Sequence, residues 1–203
     1  VTGVQTCALP IPGSYGRNDA GDTGMDAAVL SKAVGKPVRV QGMRHEGTAW
    51  DPKAPASVHT SRVAIDAEGK ITAWYFESKV FSKRDCFTQE SDPSHTLAGQ
   101  LLGAPIKQLL IFGGPGESYE FDAYQNVSAI IPPLQERASP LRTSHLRDPG
   151  GPQVHFAVES FMDELAYSLG MDPIDFRLRY VKDARDIAAI KAATEKAGWI
   201  KRT

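Results

Sequence analysis

The chain has 203 residues, 23 Lys and Arg against 24 Asp and Glu, and a formal net charge of -1. That balance gives no electrostatic drive toward nucleic acid or an anionic membrane surface, and no apolar run approaches the roughly 20 residues that span a bilayer. Cys7 and Cys86 have neither the spacing of metal ligands nor the number a disulfide framework needs.

Residues 1–11, "VTGVQTCALPI", lack the basic start and long apolar run of a signal peptide. They resemble translated sequencing-adapter read-through, so native sequence is expected to begin near Pro12. With "GWIKRT" ending on no finishing element, residues 12–203 read as an incomplete region of a larger protein. "GSYGRN" from Gly13 is small and turn-prone. Asp19 to Val34 carries Met25, Ala28, Val29 and Ala33 on one helical face, with Gly35 at the C-terminal cap. "KPVRVQG", Lys36 to Gly42, reads as a strand. Ser57 to Ser82 gives the clearest hairpin signal, with a turn at Ala67-Glu68-Gly69-Lys70.

Lys83 to Tyr119 is irregular, apart from a short apolar helix near Leu97 to Leu102. Tyr124 to Ile131 is a strand stopped by Pro132 and Pro133. Val154 to Leu169 is a helix with Phe161, Leu165, Leu169, Ala157 and Val158 on one stripe, ended by Gly170. Asp172 caps the next helix, with Pro173 in its first turn. Arg185 to Ala197 forms the last helix, before Gly198. Hairpins mixed with helices, without regular βα alternation, indicate an α+β fold.

"LRDPGGPQ", Leu146 to Gln153, stands out just before the long helix. Its plain reading is a turn followed by helix punctuation, with Pro152 in the first helical position. A second reading starts from the unpaired N–H groups of a helix start, which attract anions. Gly150 and Gly151 let backbone approach a ligand closely. Gln153 adds an amide that both donates and accepts, and Arg147 a permanent cation with a planar fork. By spacing alone this is neither a dinucleotide nor a P-loop fingerprint. His45, His59, His95, His145 and His155 show no metal-ligand spacing and read as surface or supporting residues. Trp50, Trp74 and Trp199 read as packing.

"RDPGGPQVHFAVESFMDELAYSLGMDPIDFRLRY" resembles the segment R-x-x-G-x-P-Q…E-S-x-M-D-E-L-A…L-G-x-D-P-x-x-x-R of the molybdopterin-binding large subunits of the xanthine dehydrogenase and aldehyde oxidase family. "GSYGRNDAGD" resembles that family's Gly-rich loop, and "GKPVRVQGMRHE" and "DAEGKITAW" resemble further segments in the same order. "LRTSHLRDPGG" points to the isoquinoline and nicotinate oxidoreductase branch.

The resemblance implies an internal fragment of a molybdenum hydroxylase subunit. Such an enzyme uses molybdopterin, the molybdenum cofactor, to hydroxylate an N-heterocycle or aldehyde with water-derived oxygen. Electrons then pass to [2Fe–2S] clusters on an iron–sulfur partner. The cofactor carries the hard chemistry, and the protein supplies position and field. Matched residue by residue, Gly13, Ser14, Tyr15, Gly16, Gly150, Gly151 and Gln153 are expected at the cofactor. Arg147 is expected in a catalytic role, and no protein side chain on the metal. "WDPKAPA" stands where the purine enzymes carry a substrate arginine, which argues against a purine substrate. The family's general-base glutamate falls beyond Thr203, so this piece alone is expected to be inactive. A non-catalytic binding or interaction module reusing the fold is the alternative. The sequence leaves the compartment, cytoplasm or periplasm, open.

Overall fold

Asp66 organises the turn that joins the first two strands. Its Oδ1 accepts from the backbone N–H groups of Glu68 at 3.1 Å and Lys70 at 2.7 Å. Gly69 sits beyond it at φ +76°, where a Cβ would be strained. In this computed structural model, which describes residues 22–81, 92–105, 119–131, 143 and 151–202, β1 spans Ser57–Ile65 and β2 spans Ile71–Phe81. The two pair antiparallel, with an irregularity between Ala64 and Ile65. β3, Tyr124–Ile131, pairs parallel with the other edge of β2. The order is β1-β2-β3, a mixed sheet in an α+β fold.

The chain divides into two compact units. The sheet belongs to the unit made of Ala56–Phe81, Leu110–Pro132 and Gly150–Thr203. β2 is its central strand and is accordingly apolar on one face: Trp74, Phe76 and Val80 are buried at alternate positions, with Ser78 between them. α1 (Asp22–Val34), α2 (Arg44–Trp50) and α3 (Leu97–Leu101) belong to the other unit; α4, Gly151–Ser168, lays Val154, Val158, Met162, Leu165 and Ala166 against the sheet. Fully burying one such large side chain contributes about 1.5–3 kcal/mol. The stripe is centred one position away from the expected one. Met162 is fully buried, whereas Phe161, Ala157 and Leu169 pack at the margin. α4 also starts at Gly151 rather than Val154, because Pro152 gives up nothing in a first turn whose N–H groups have no intrahelical acceptor.

Gly170, at φ +64°, ends α4. Asp172 then caps α5, Pro173–Leu178, and Asp183 caps α6, Ala184–Lys196. Tyr180 closes the core. Its buried hydroxyl accepts from Ile71 N at 2.8 Å, satisfying a backbone donor at the irregular end of the hairpin.

In the other unit, Asp22 Oδ1 accepts from Leu97 N at 2.8 Å and ties α1 to α3. Lys36 to Gly42 is not a strand. Val38 and Val40 are half-buried and alternate with exposed Pro37 and Arg39, but the segment pairs with no strand among the described residues. Alternation without a neighbour to bond leaves extended chain. One further expectation is corrected: Trp50 is 47% exposed rather than packed. His95, read as a surface or supporting residue, is buried at 4% exposure.

Candidate functional site at the start of the long helix

The first turn of α4 contains Gly151, Pro152 and Gln153. No acidic side chain lies in it, so the positive end of the helix dipole is uncompensated from within. Gln153 Oε1 is buried and has no hydrogen-bond partner among the described residues. A buried amide oxygen left unpaired costs about 1–3 kcal/mol, so its natural complement is a donor supplied by something else.

Further along α4 the helix is gripped by Arg177 of α5. Nε of Arg177 donates to Glu159 Oε2 at 2.7 Å, and its terminal nitrogens donate to Asp163 Oδ1 at 2.7 Å and to the Glu159 carbonyl at 3.0 Å. One of them also donates to the Pro173 carbonyl at 3.1 Å. The Tyr119 hydroxyl donates to Glu159 Oε2 at 3.0 Å. Burial by itself would lower the Arg177 pKa, but the Glu159 and Asp163 carboxylates outweigh it and raise it. Burial, and then the Glu159 carboxylate, raise that of Tyr119.

Of the residues the motifs single out, Gly151 and Gln153 share this one turn. Gly13, Ser14, Tyr15, Gly16, Arg147 and Gly150 lie outside the described residues. Among the described residues no group of three or more His, Cys, Asp or Glu is placed to hold a metal ion. The described residues that line an open cleft of about 870 Å³ in the unit that carries α1 include Asp22, Asp26, Glu46 and Asp51, with Arg44 the one base among them.

The molybdopterin cofactor-binding domain family matches residues 140–181, which contain the first turn of α4 and the whole Arg177 grip on that helix. The chain is 33% identical over 198 residues to one of the nicotinate dehydrogenase subunits of Pseudomonas putida, covering 97% of this chain and 16% of that protein. It is 25% identical over 210 residues to the beta subunit of isoquinoline 1-oxidoreductase from Brevundimonas diminuta, covering 98% of this chain and 24% of that one.

This chain belongs to the molybdopterin-binding large subunits of the xanthine dehydrogenase and aldehyde oxidase family. It spans only 16% and 24% of the two relatives just described. The fold agrees: quinoline 2-oxidoreductase from Pseudomonas putida 86 superposes with a TM-score of 0.64 at 19% identity, over 92% of this chain and 24% of that one.

The described part of this molybdopterin-binding chain suits its cofactor. A phosphate-bearing pterin is anionic and rich in donors and acceptors. To such a ligand the first turn of α4 offers a helix dipole with no carboxylate in the turn and, among the described residues, an amide oxygen without a partner. Arg177, Tyr119 and Glu159 had no role legible in the sequence. The signal was there in part: Glu159 and Asp163 stand one turn apart on α4 and present two carboxylates to one cation. Nothing in the spacing announced Tyr119, which is 40 residues from Glu159.

Proposed function

We propose that this chain is a cofactor-facing part of a molybdenum hydroxylase that acts on an N-heterocycle or an aldehyde, with electrons leaving to an iron–sulfur partner. The relative at 33% identity bears a name for a dehydrogenase of nicotinate, an N-heterocycle, which favours that substrate class. The observation that carries the reading is the buried, unpartnered Gln153 Oε1 in the first turn of α4, inside the segment the cofactor-binding family matches.

When bound, the cofactor supplies oxygen transfer from water and takes up two electrons. The chain's own residues bind and orient it. Gln153 accepts a hydrogen bond from the cofactor through Oε1 and offers its amide N–H groups in return. Gly151, with Gly150 before it, keeps the backbone bare so that the ligand can approach. Arg147 faces the reacting group and stabilises negative charge that develops on the substrate. Gly13, Ser14, Tyr15 and Gly16 supply a second backbone loop at the cofactor.

The test is the pterin and molybdenum content of the complete subunit. Gln153→Ala should lower both by roughly tenfold. Full cofactor content in Gln153→Ala, with unchanged turnover, would remove the basis of this reading.

A further inference from the structure

Arg177 contacts α4 in a way that apolar packing cannot reproduce. The buried stripe of Val154, Val158, Met162 and Leu165 holds the helix down but is non-directional. Hydrogen bonds are directional and fix rotation and register. Arg177 takes hold of the helix backbone at the Glu159 carbonyl, 3.0 Å away, as well as the Glu159 and Asp163 side chains. Its side chain is only 13% exposed. A second support comes from the stretch before β3. Tyr119 bonds the same Glu159 oxygen, and Glu120 N donates to the Tyr180 carbonyl at 2.9 Å. The grip lies six residues from Gln153, roughly 9 Å along a helix axis. A helix is stiff over that distance, so rotating α4 at Glu159 swings the Gln153 amide with it.

We infer that Arg177, supported by Tyr119, is a positioning residue for the cofactor: by holding the Glu159 turn of α4 it sets the direction in which the Gln153 amide points. The inference rests on the cofactor role proposed for Gln153. Lysine cannot replace Arg177, because one ammonium cannot present the same fork to Glu159 and Asp163 while bonding the Glu159 carbonyl.

The experiment is a double-mutant cycle in the complete subunit, read as pterin and molybdenum content per polypeptide. Thermal unfolding of the cofactor-free protein is followed alongside. The variants are Gln153→Ala, Arg177→Lys and the two combined, with Tyr119→Phe as a milder change that keeps the ring. If Arg177 acts through Gln153, Arg177→Lys lowers content roughly tenfold and Tyr119→Phe by less. Combining Arg177→Lys with Gln153→Ala then lowers content no further than Gln153→Ala alone. Independent, multiplying losses would overturn the inference and leave the cofactor role of Gln153 standing. So would a fall in content that tracks the fall in unfolding temperature in every variant, because that is the behaviour of a purely structural ion pair. A normal content in Gln153→Ala would instead sink the cofactor role itself, and the inference with it. Should Arg177→Lys fail to fold, the same cycle run with Tyr119→Phe decides the question by the same criterion.

Discussion

Arg177 Nε and Glu159 Oε2 stand 2.7 Å apart across 18 residues of sequence, tying α5 to α4 inside the segment that the cofactor-binding family matches. Two of the three acidic residues of "ESFMDELA" therefore have a mechanical part in this chain. Glu159 and Asp163 anchor α4 to α5, while among the described residues of α4 the buried side-chain atom without a partner is Gln153 Oε1, at the helix start.

Asp172 is the second polar anchor of this unit. It is 4% exposed and accepts from Ile174 N, Asp175 N, Trp199 Nε1 and Arg202 N. Burial by itself would raise its pKa; the bonds from Arg202, Trp199, Asp175 and Ile174 outweigh it and hold the carboxyl at about 2, against an ordinary 3.8. A carboxyl depressed in the folded state contributes stability above its unfolded pKa and loses it as pH falls through the folded value. Asp172→Asn should therefore cost on the order of 2 kcal/mol at pH 7. That difference should shrink as pH falls from about 4 toward 2. Urea unfolding of parent and variant across that range checks it, and a cost that does not change with pH would show that the charge is not the source.

Two positions on α4 separate core from surface. Leu165 is 7% exposed, and Leu165→Ala should cost about 2–5 kcal/mol. Tyr167, two residues on, is 89% exposed, and Tyr167→Ala should stay within about 0.5 kcal/mol. Comparing the unfolding midpoints of the two variants checks the assigned stripe.

Much of the fold was legible because its signals are local. The hairpin followed from alternation and the Gly69 turn, and the caps of α4, α5 and α6 from Gly170, Asp172 and Gly198. Lys36 to Gly42 misled because a strand is defined by its neighbour, which a sequence does not show. The choice of Phe161 over Met162 failed for a related reason. Both lie near the apolar face, and only the sheet beneath decides which is central. At the candidate site, Gly151 and Gln153 were legible by motif alone, while the Tyr119–Glu159–Arg177 cluster depends on contacts far apart in the chain.

Gly99 is a test in the unit that carries α1. It lies inside α3, and a Cβ there would stand 2.0 Å from the Pro93 carbonyl oxygen. Backbone cannot yield as a flexible side chain can, so Gly99→Ala must displace the turn at Pro93–His95. A loss of about 1–3 kcal/mol is expected, the range for overpacking. Hydrogen exchange at the Gln100 and Gly103 amides, which close this turn of helix, should rise in the variant; unchanged exchange would contradict the contact.

Gly151→Val separates close backbone approach from helix formation. Valine is tolerated in a first helical turn at a cost of well under about 1 kcal/mol. A large fall in pterin content with a nearly unchanged unfolding temperature is the expected result. Equal losses in both would assign Gly151 to the fold alone.

The most direct test of the central claim is a crystal structure of the complete, cofactor-loaded subunit, read at one distance: Gln153 to the nearest cofactor atom. The account predicts a hydrogen bond from the Gln153 amide to the cofactor at about 2.7–3.2 Å, with Gly16 and Gly150 on the same ligand and Arg147 facing the same cleft. A Gln153 amide bonded within the protein, with the cofactor out of reach of the first turn of α4, would contradict it.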